Sequence, residues 1–231
     1  GTLIFSNGDK YVGDFVKGKM TGKGTFTFEE GKYEGDLVDG NLHGKGTLYF
    51  PNGDKYEGDF VDNQSTGKGT YIWTDGNQYV GDFVDDKRTG KGTLIFSNGD
   101  KYVGDFVKGE RTGKGTYTLL DGRKYVGDFI DGMWNGTGTF YSSNGDKYIG
   151  NFVDGKRTGK GTYIWSDGEK YVGDIVDGII TGKGTLYWVD GEKYEGEFVN
   201  GKLHGEGTYT FSNGKTIKGK WFKGKLVEKE K

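Results

Sequence analysis

Tyr56-Glu57-Gly58-Asp59-Phe60-Val61 is the phrase on which the chain is built. Its pattern, aromatic-x-Gly-acid-aromatic-β-branched, returns from one end of the sequence to the other. The tyrosine recurs at Tyr11, Tyr33, Tyr56, Tyr79, Tyr102, Tyr125, Tyr148, Tyr171 and Tyr194, with Ile217 in the tenth place. The step is 23 residues each time except the first, which is 22. A fixed period of this length marks a repeat architecture, in which units too small to bury a core alone are completed by their neighbours.

Residues 46–68 serve as the type unit. Gly46-Thr47-Leu48-Tyr49-Phe50 and Asp54-Lys55-Tyr56-Glu57-Gly58-Asp59-Phe60-Val61 are two β-rich runs flanking Pro51-Asn52-Gly53, and a polar link ends at Gly67-Lys68. This is a hairpin signature, and no stretch has a helical hydrophobic period. Side chains alternate faces along a strand. A three-residue loop at Pro51-Asn52-Gly53 puts Leu48, Tyr56 and Phe60 on one face and pairs Leu48 with Tyr56, Gly46 with Gly58 and Lys45 with Asp59. The repeats test that register among themselves. Lys68/Asp82, Lys91/Asp105, Lys114/Asp128, Lys160/Asp174 and Lys183/Glu197 keep the pairing, Thr137 meets Asn151, and Glu206/Lys220 swaps the charges. Coordinated change at a fixed separation points to cross-strand contact. The second unit is one residue short, and a two-residue loop at Glu30-Gly31 would keep Phe28 and Tyr33 on one face.

Stacked units align three ring columns: the tyrosines; Phe15, Leu37, Phe60, Phe83, Phe106, Phe129, Phe152, Ile175, Phe198 and Trp221; and Phe50, Trp73, Phe96, Trp165, Trp188 and Phe211. A single sheet has no second layer, so part of its apolar face is expected to stay open to a partner. Tyr56, Tyr79, Tyr102, Tyr125, Tyr148, Phe60, Phe83, Phe106, Phe129 and Phe152 are therefore the expected lining of a partner-binding groove, and an amphipathic helix is the segment that fits it. A rival reading uses the lysines just before the tyrosines, Lys55, Lys101, Lys124, Lys147, Lys170 and Lys193, to attract anionic phospholipid headgroups such as phosphoinositides. The C-terminal unit reads as a cap, with Ile217, Lys218 and Lys220 followed by a charged tail, Glu228 to Lys231. The N-terminal edge shows no such unit, so either the sequence is cut there or that edge pairs with something, homodimer formation being the third expectation.

Composition excludes several classes. The chain has no Cys, and its net charge of -2 gives no pull toward nucleic acid. The absence of Cys also removes disulfides and thiolate metal sites, and fits an intracellular, cytoplasmic setting. No apolar run reaches the ~20 residues of a membrane span. The only histidines, His43 and His204, hold the same place seven units apart, on the order of 65 Å in a flat sheet, and read as polar turn residues. Gly-Lys-Gly segments lack phosphate-loop spacing, and no calcium-loop pattern is present. No enzymatic activity, catalytic residue, metal or cofactor is expected.

Tyr-x-Gly-acid-aromatic-x-x-Gly-x-x-x-Gly-x-Gly, as in Tyr33 to Gly46 and Tyr194 to Gly207, resembles the MORN repeat. Leu42-His43-Gly44-Lys45-Gly46 and Leu203-His204-Gly205-Glu206-Gly207 are closest to the family pattern, whose tryptophan is retained here only as Trp221. The resemblance implies an all-β fold, an elongated, twisted antiparallel sheet of stacked hairpins in one solenoid-like layer with an aromatic groove. It implies one domain over residues 1–231, regular over 1–214 and divergent over 215–231. It also implies a scaffold at cytoskeletal or membrane-associated sites. A compact 231-residue globule has a radius of gyration of ~17 Å, whereas ten stacked hairpins span ~90 Å. Small-angle scattering is expected to report the larger dimension, and a compact sphere would defeat the stacked reading.

Overall fold

The computed structural model describes residues 1–230; Lys231, the last residue of the expected charged tail, lies outside the described residues. Among the described residues every regular element is a β-strand. They divide into two compact units, Gly1–Gly113 and the chain from Lys114 onward. The first contains β1 (Thr2–Ile4), β2 (Lys10–Val16), β3 (Lys19–Phe28), β4 (Gly31–Val38), β5 (Asn41–Tyr49), β6 (Lys55–Val61), β7 (Gln64–Ile72), β8 (Gln78–Val84), β9 (Lys87–Ile95) and β10 (Lys101–Val107). The boundary falls within β11 (Glu110–Thr118). The second contains β12 (Lys124–Ile130), β13 (Met133–Tyr141), β14 (Lys147–Val153), β15 (Lys156–Ile164), β16 (Lys170–Val176), β17 (Ile179–Tyr187), β18 (Lys193–Val199), β19 (Lys202–Thr210), β20 (Thr216–Phe222) and β21 (Lys225–Lys229). From β1 to β10, and again from β12 to β21, strands consecutive in sequence pair antiparallel.

Two kinds of turn alternate. At Pro51-Asn52-Gly53 the Phe50 amide donates to the Asp54 carbonyl (3.0 Å) and the Gly53 amide to the Phe50 carbonyl (2.9 Å). Gly53 has φ +88°, the left-handed position that closes a three-residue hairpin loop. Strand register follows as expected: Lys45 faces Asp59, Gly46 faces Gly58 and Leu48 faces Tyr56. The second kind lies inside the stretch read as a polar link. Asp85 and Asp86 both have positive φ, 48° and 63°, and form a two-residue turn of the type that matches strand twist. Asp39-Gly40 and Lys17-Gly18 do the same.

The short second unit departs from expectation. Its loop is Glu29-Glu30, not Glu30-Gly31, and Gly31 pairs with Phe28 inside β4. Tyr33 thereby faces Phe26, the place that Leu48 holds against Tyr56 in the next unit, so the common register outweighs the lost residue. Gly31 lies so close to β5 that a Cβ there would clash with the Tyr49 carbonyl.

Links between repeats carry a bulge, as in β2–β3, β4–β5, β6–β7, β8–β9, β12–β13, β14–β15, β16–β17 and β18–β19. Gly58 faces Gly69, but the next pair is Asp59 with Thr66, so Gly67 and Lys68 are passed over on this side. Gly67 has φ +58°, the left-handed conformation that glycine adopts without steric cost. The carboxylate of Asp59 accepts the Lys68 amide (3.3 Å), and its other oxygen meets Lys45 Nζ at 2.5 Å. Lys68–Asp82, Lys91–Asp105, Lys114–Asp128 and Lys160–Asp174 repeat the ion pair at 2.5–2.6 Å, and Lys183 faces Glu197 in the same register. The reversed pair, Glu206–Lys220, is made at 4.0 Å.

The bulges bring two glycines together under each tyrosine. A Cβ on Gly81 would lie 2.6 Å from the Tyr79 ring and 2.7 Å from Gly92 Cα. Neither approach is tolerated by real side chains, so the strands come together only because both residues are glycine. Gly81→Ala is expected to cost ~1–3 kcal/mol by overpacking, read as a lower thermal midpoint. Val80→Thr, on the exposed face beside it, is expected to change stability by less than ~0.5 kcal/mol. Equal stability of Gly81→Ala and the parent would remove the close-approach argument.

Candidate functional site

The tyrosine column is fixed from below and from the sides. Tyr79 lies across Gly81 and Gly92, and its hydroxyl reaches the carbonyl oxygens of Asp82 (3.1 Å) and Thr89 (3.3 Å) across the bulge. Phe83 and Phe106 meet its ring edge-on, with centroids at 5.2 and 4.9 Å. In the first unit this contact runs Tyr33, Phe60, Tyr56, Phe83, Tyr79, Phe106, Tyr102, and in the second Phe129, Tyr125, Phe152, Tyr148. Edge-to-face pairs add ~0.5–1.5 kcal/mol each beyond their burial.

The expectation that these rings line a groove is corrected by their burial. Tyr56, Tyr79, Tyr102, Tyr125, Tyr148, Phe60, Phe83, Phe106, Phe129 and Phe152 are all at most 3% exposed. A ring without accessible surface has none to offer a partner, and these ten are the core. They are covered by side chains of their own face that sequence reasoning missed. The residue facing a phenylalanine, or Leu37 in its place, across the two-residue turn lies over the core: Leu42, Ser65, Arg88, Trp134 and Arg157 are examples. Trp134 stacks on Tyr125 at 4.6 Å and 9°. The signal was available in Val-Asp-Gly and Val-Asp-Asp, turn sequences that place the second residue beyond them opposite the phenylalanine.

Above the core a second aromatic layer remains half-buried. Tyr71 and Trp73 lie 4.7 Å apart by centroid, Tyr163 and Trp165 5.0 Å, and Trp188 and Tyr209 5.3 Å. The loop acids hold this layer. Asp54, only 6% exposed, accepts the Tyr71 hydroxyl (2.9 Å) and the Thr74 amide (2.9 Å). Those bonds, the Thr74 amide first, hold its carboxyl below the usual range. Glu192 accepts the Tyr209 hydroxyl in the same way.

The lysine column lies on the opposite face. Lys55 and Lys193 are paired with Glu57 (3.0 Å) and Glu195 (3.6 Å), and Lys124, Lys147 and Lys170 lie against Tyr141 or Tyr187. Lys101 is exposed. That face carries exposed Val80, Val84, Val103 and Val107 in the first unit. In the second it holds a shallow groove of about 690 Å³, floored by Gly161, Gly173, Gly184 and Gly196 and bordered by Ile149, Val172, Lys160 and Lys183. No aromatic ring lines it. His43 and His204 lie in β5 and β19, three residues past Asp39-Gly40 and Asn200-Gly201, so they are strand residues and not the expected turn residues. Their carbonyl oxygens accept the Tyr33 and Tyr194 hydroxyls. Among the described residues no group of three or more His, Cys, Asp or Glu is placed to hold a metal ion, and no helix is long and apolar enough to cross a membrane.

The family model for the MORN repeat matches residues 11–32, 33–55, 56–78, 79–101, 102–122, 125–147, 148–170, 171–193 and 194–216. No curated protein matches the chain. Among solved structures, the chain is similar to a mutant TCP10 domain of Danio rerio CPAP at 15% identity, covering 96% of this chain and 99% of that one, with a TM-score of 0.47. It is also similar to the Drosophila melanogaster SAS-4 TCP domain in complex with a proline-rich motif of Ana2, at 14% identity over 69% of this chain and 87% of that one, with a TM-score of 0.44. TM-scores below 0.5 are too low for these likenesses to bear on this chain's partner or shape.

Burial pushes the core hydroxyls up, to about 12 for Tyr79, Tyr102, Tyr171 and Tyr194, with the neighbouring acid adding to the rise in each. A group whose folded pKa is raised stabilises the fold fully below its unfolded value, near 10, and loses that contribution as pH climbs to the folded value. The thermal midpoint is therefore expected to fall between pH 10 and about 12. A midpoint flat through pH 12 would contradict the buried-hydroxyl account.

Proposed function

Because the chain belongs to the MORN-repeat family over residues 11–216, we propose that it is a non-enzymatic scaffold whose ring-bearing face receives a segment of a partner protein. The observation that carries this is the second layer. The core is closed without a partner, yet Tyr71, Trp73, Tyr163, Trp165 and Trp188 stay half-open above it. Tyr and Trp on a fixed platform are the residues that dominate binding hot spots. An amphipathic helix is the segment that suits them. Equivalent rings recur every two strands, ~9.6 Å, and a helix repeats a side-chain direction every seven residues, ~10.5 Å.

Catalysis has little to work with, since Asp36, Asp59, Asp82, Asp128 and Asp174 are engaged by backbone amides and lysines. The lipid reading through Lys55, Lys101, Lys124, Lys147, Lys170 and Lys193 is weaker, because Lys55 and Lys193 are already paired with glutamates.

The experiment is a screen of amphipathic-helix peptides by fluorescence anisotropy, with liposome sedimentation beside it. A selected helix is expected to lose at least tenfold in affinity to the Tyr71→Ser/Trp73→Ser protein and to be indifferent to Val80→Glu on the opposite face. The converse pattern would move the site to the valine face. Pelleting with phosphoinositide liposomes but not neutral ones, reversed by salt, would favour the lipid reading.

A further inference from the structure

The residue lying over each core tyrosine varies along the array, and at Arg88, as at Arg157, it is an arginine set among rings. Its guanidinium carbon lies 5.2 Å from the Trp73 ring centre, 5.6 Å from Tyr79 and 5.7 Å from Phe106. Burial lowers its pKa, Glu110 adds only a longer-range attraction, and Arg111 opposes it. Among the described residues Arg88 makes no side-chain hydrogen bond and no ion pair. Arg157 in the second unit donates to the Tyr163 hydroxyl (3.2 Å), and the surface residue Arg123 has Asp121 at 2.8 Å.

The preceding repeat shows what Arg88 lacks. Ser65 holds the equivalent place, and its amide and hydroxyl donate to the carboxylate of Asp86 in the next turn (2.7 and 2.9 Å). The Asp86 amide donates in return to the Ser65 carbonyl (3.1 Å). Beside Arg88 the corresponding residue is Gly109, whose amide donates to the Arg88 carbonyl (2.8 Å). A Cβ on Gly109 would lie 3.6 Å from Arg88 Nη2. The fold thus supplies a carboxylate to the serine and none to the arginine.

We propose that Arg88 is the anchor for a carboxylate of the partner, so that the segment taken by the ring-bearing face carries an Asp or Glu aligned with this guanidinium. The proposal rests on the ring-face reading and adds to it the chemistry of the ligand. A planar guanidinium with five donors binds a carboxylate bidentately. Rings on several sides exclude water, which strengthens that bond. The preference runs against the chain's net charge of -2, which alone would favour a basic peptide.

The test uses two labelled 20-residue amphipathic peptides of one Leu/Ala pattern, with either Glu or Lys at every polar position, measured by anisotropy at near-physiological salt. The Glu peptide is expected to bind at least tenfold more tightly. Arg88→Met, which keeps apolar contact with the rings, should abolish that preference, and Arg88→Lys should keep part of it. Gly109→Asp supplies an internal carboxylate at a position where Asp86 already tolerates positive φ. It should also abolish the preference, and it carries the test if Arg88→Met fails to fold by near-UV circular dichroism. Equal binding of the two peptides overturns the proposal and leaves the ring-face reading standing. Binding of neither overturns both. A Glu preference that survives Arg88→Met or Gly109→Asp overturns the proposal, as does Arg88-dependent binding of phosphatidylserine vesicles without peptide binding.

Discussion

A tyrosine lying flat across two glycines is the contact from which the rest of this fold follows. Neither glycine can carry a side chain, because the ring occupies that space and the facing strand fills what is left. The hydroxyl reaches carbonyl oxygens on both strands beside the bulge, so the ring both fills and closes the irregularity beneath it. A single sheet ordinarily lacks a second layer to bury its apolar face. Here the second layer is made by the sheet's own side chains, laid parallel to it. Phenylalanine edges then seal the tyrosines laterally, and residues such as Leu42, Trp134 and Arg157 cover them.

This arrangement separates a closed core from an open ring layer above it. Rings at most 3% exposed hold the units together, while those above them are held by loop acids and still face outward. Side chains fixed in this way by their neighbours have little conformational entropy left to lose. The covering position, by contrast, tolerates Met20, Leu42, Ser65, Arg88, Trp134 and Ile180, because it needs only to cover a ring and not to fit a slot.

Much of the fold was legible because the sequence repeats its own evidence. The hairpins, the three-residue loop and the Leu48–Tyr56 register could be read from Pro51-Asn52-Gly53 and from lysines and acids that change together. The loop of the short repeat lies one residue earlier than local face alternation predicts, because the common register between strands overrides that alternation. The site was less legible for a physical reason. Alternation says which face a ring lies on, but not whether it stands up from the sheet or lies down upon it. Tyr79 lies down because Gly81 and Gly92 make room, and only the register brings those two glycines together. Arg88 could not be singled out, because its neighbour Gly109 belongs to a turn that the sequence alone does not bring to it.

The acid of each repeat has one further consequence. One oxygen of Asp59 holds the bulge that follows it, and the other holds the lysine of the strand before. Its obligations therefore end at the adjacent strands. A copied 23-residue segment arrives with the same two obligations and the same two means of meeting them. Gene duplication can then lengthen the array without any compensating mutation. Residues 1–18 and 92–109 are identical, as expected of a lineage in which copying is tolerated.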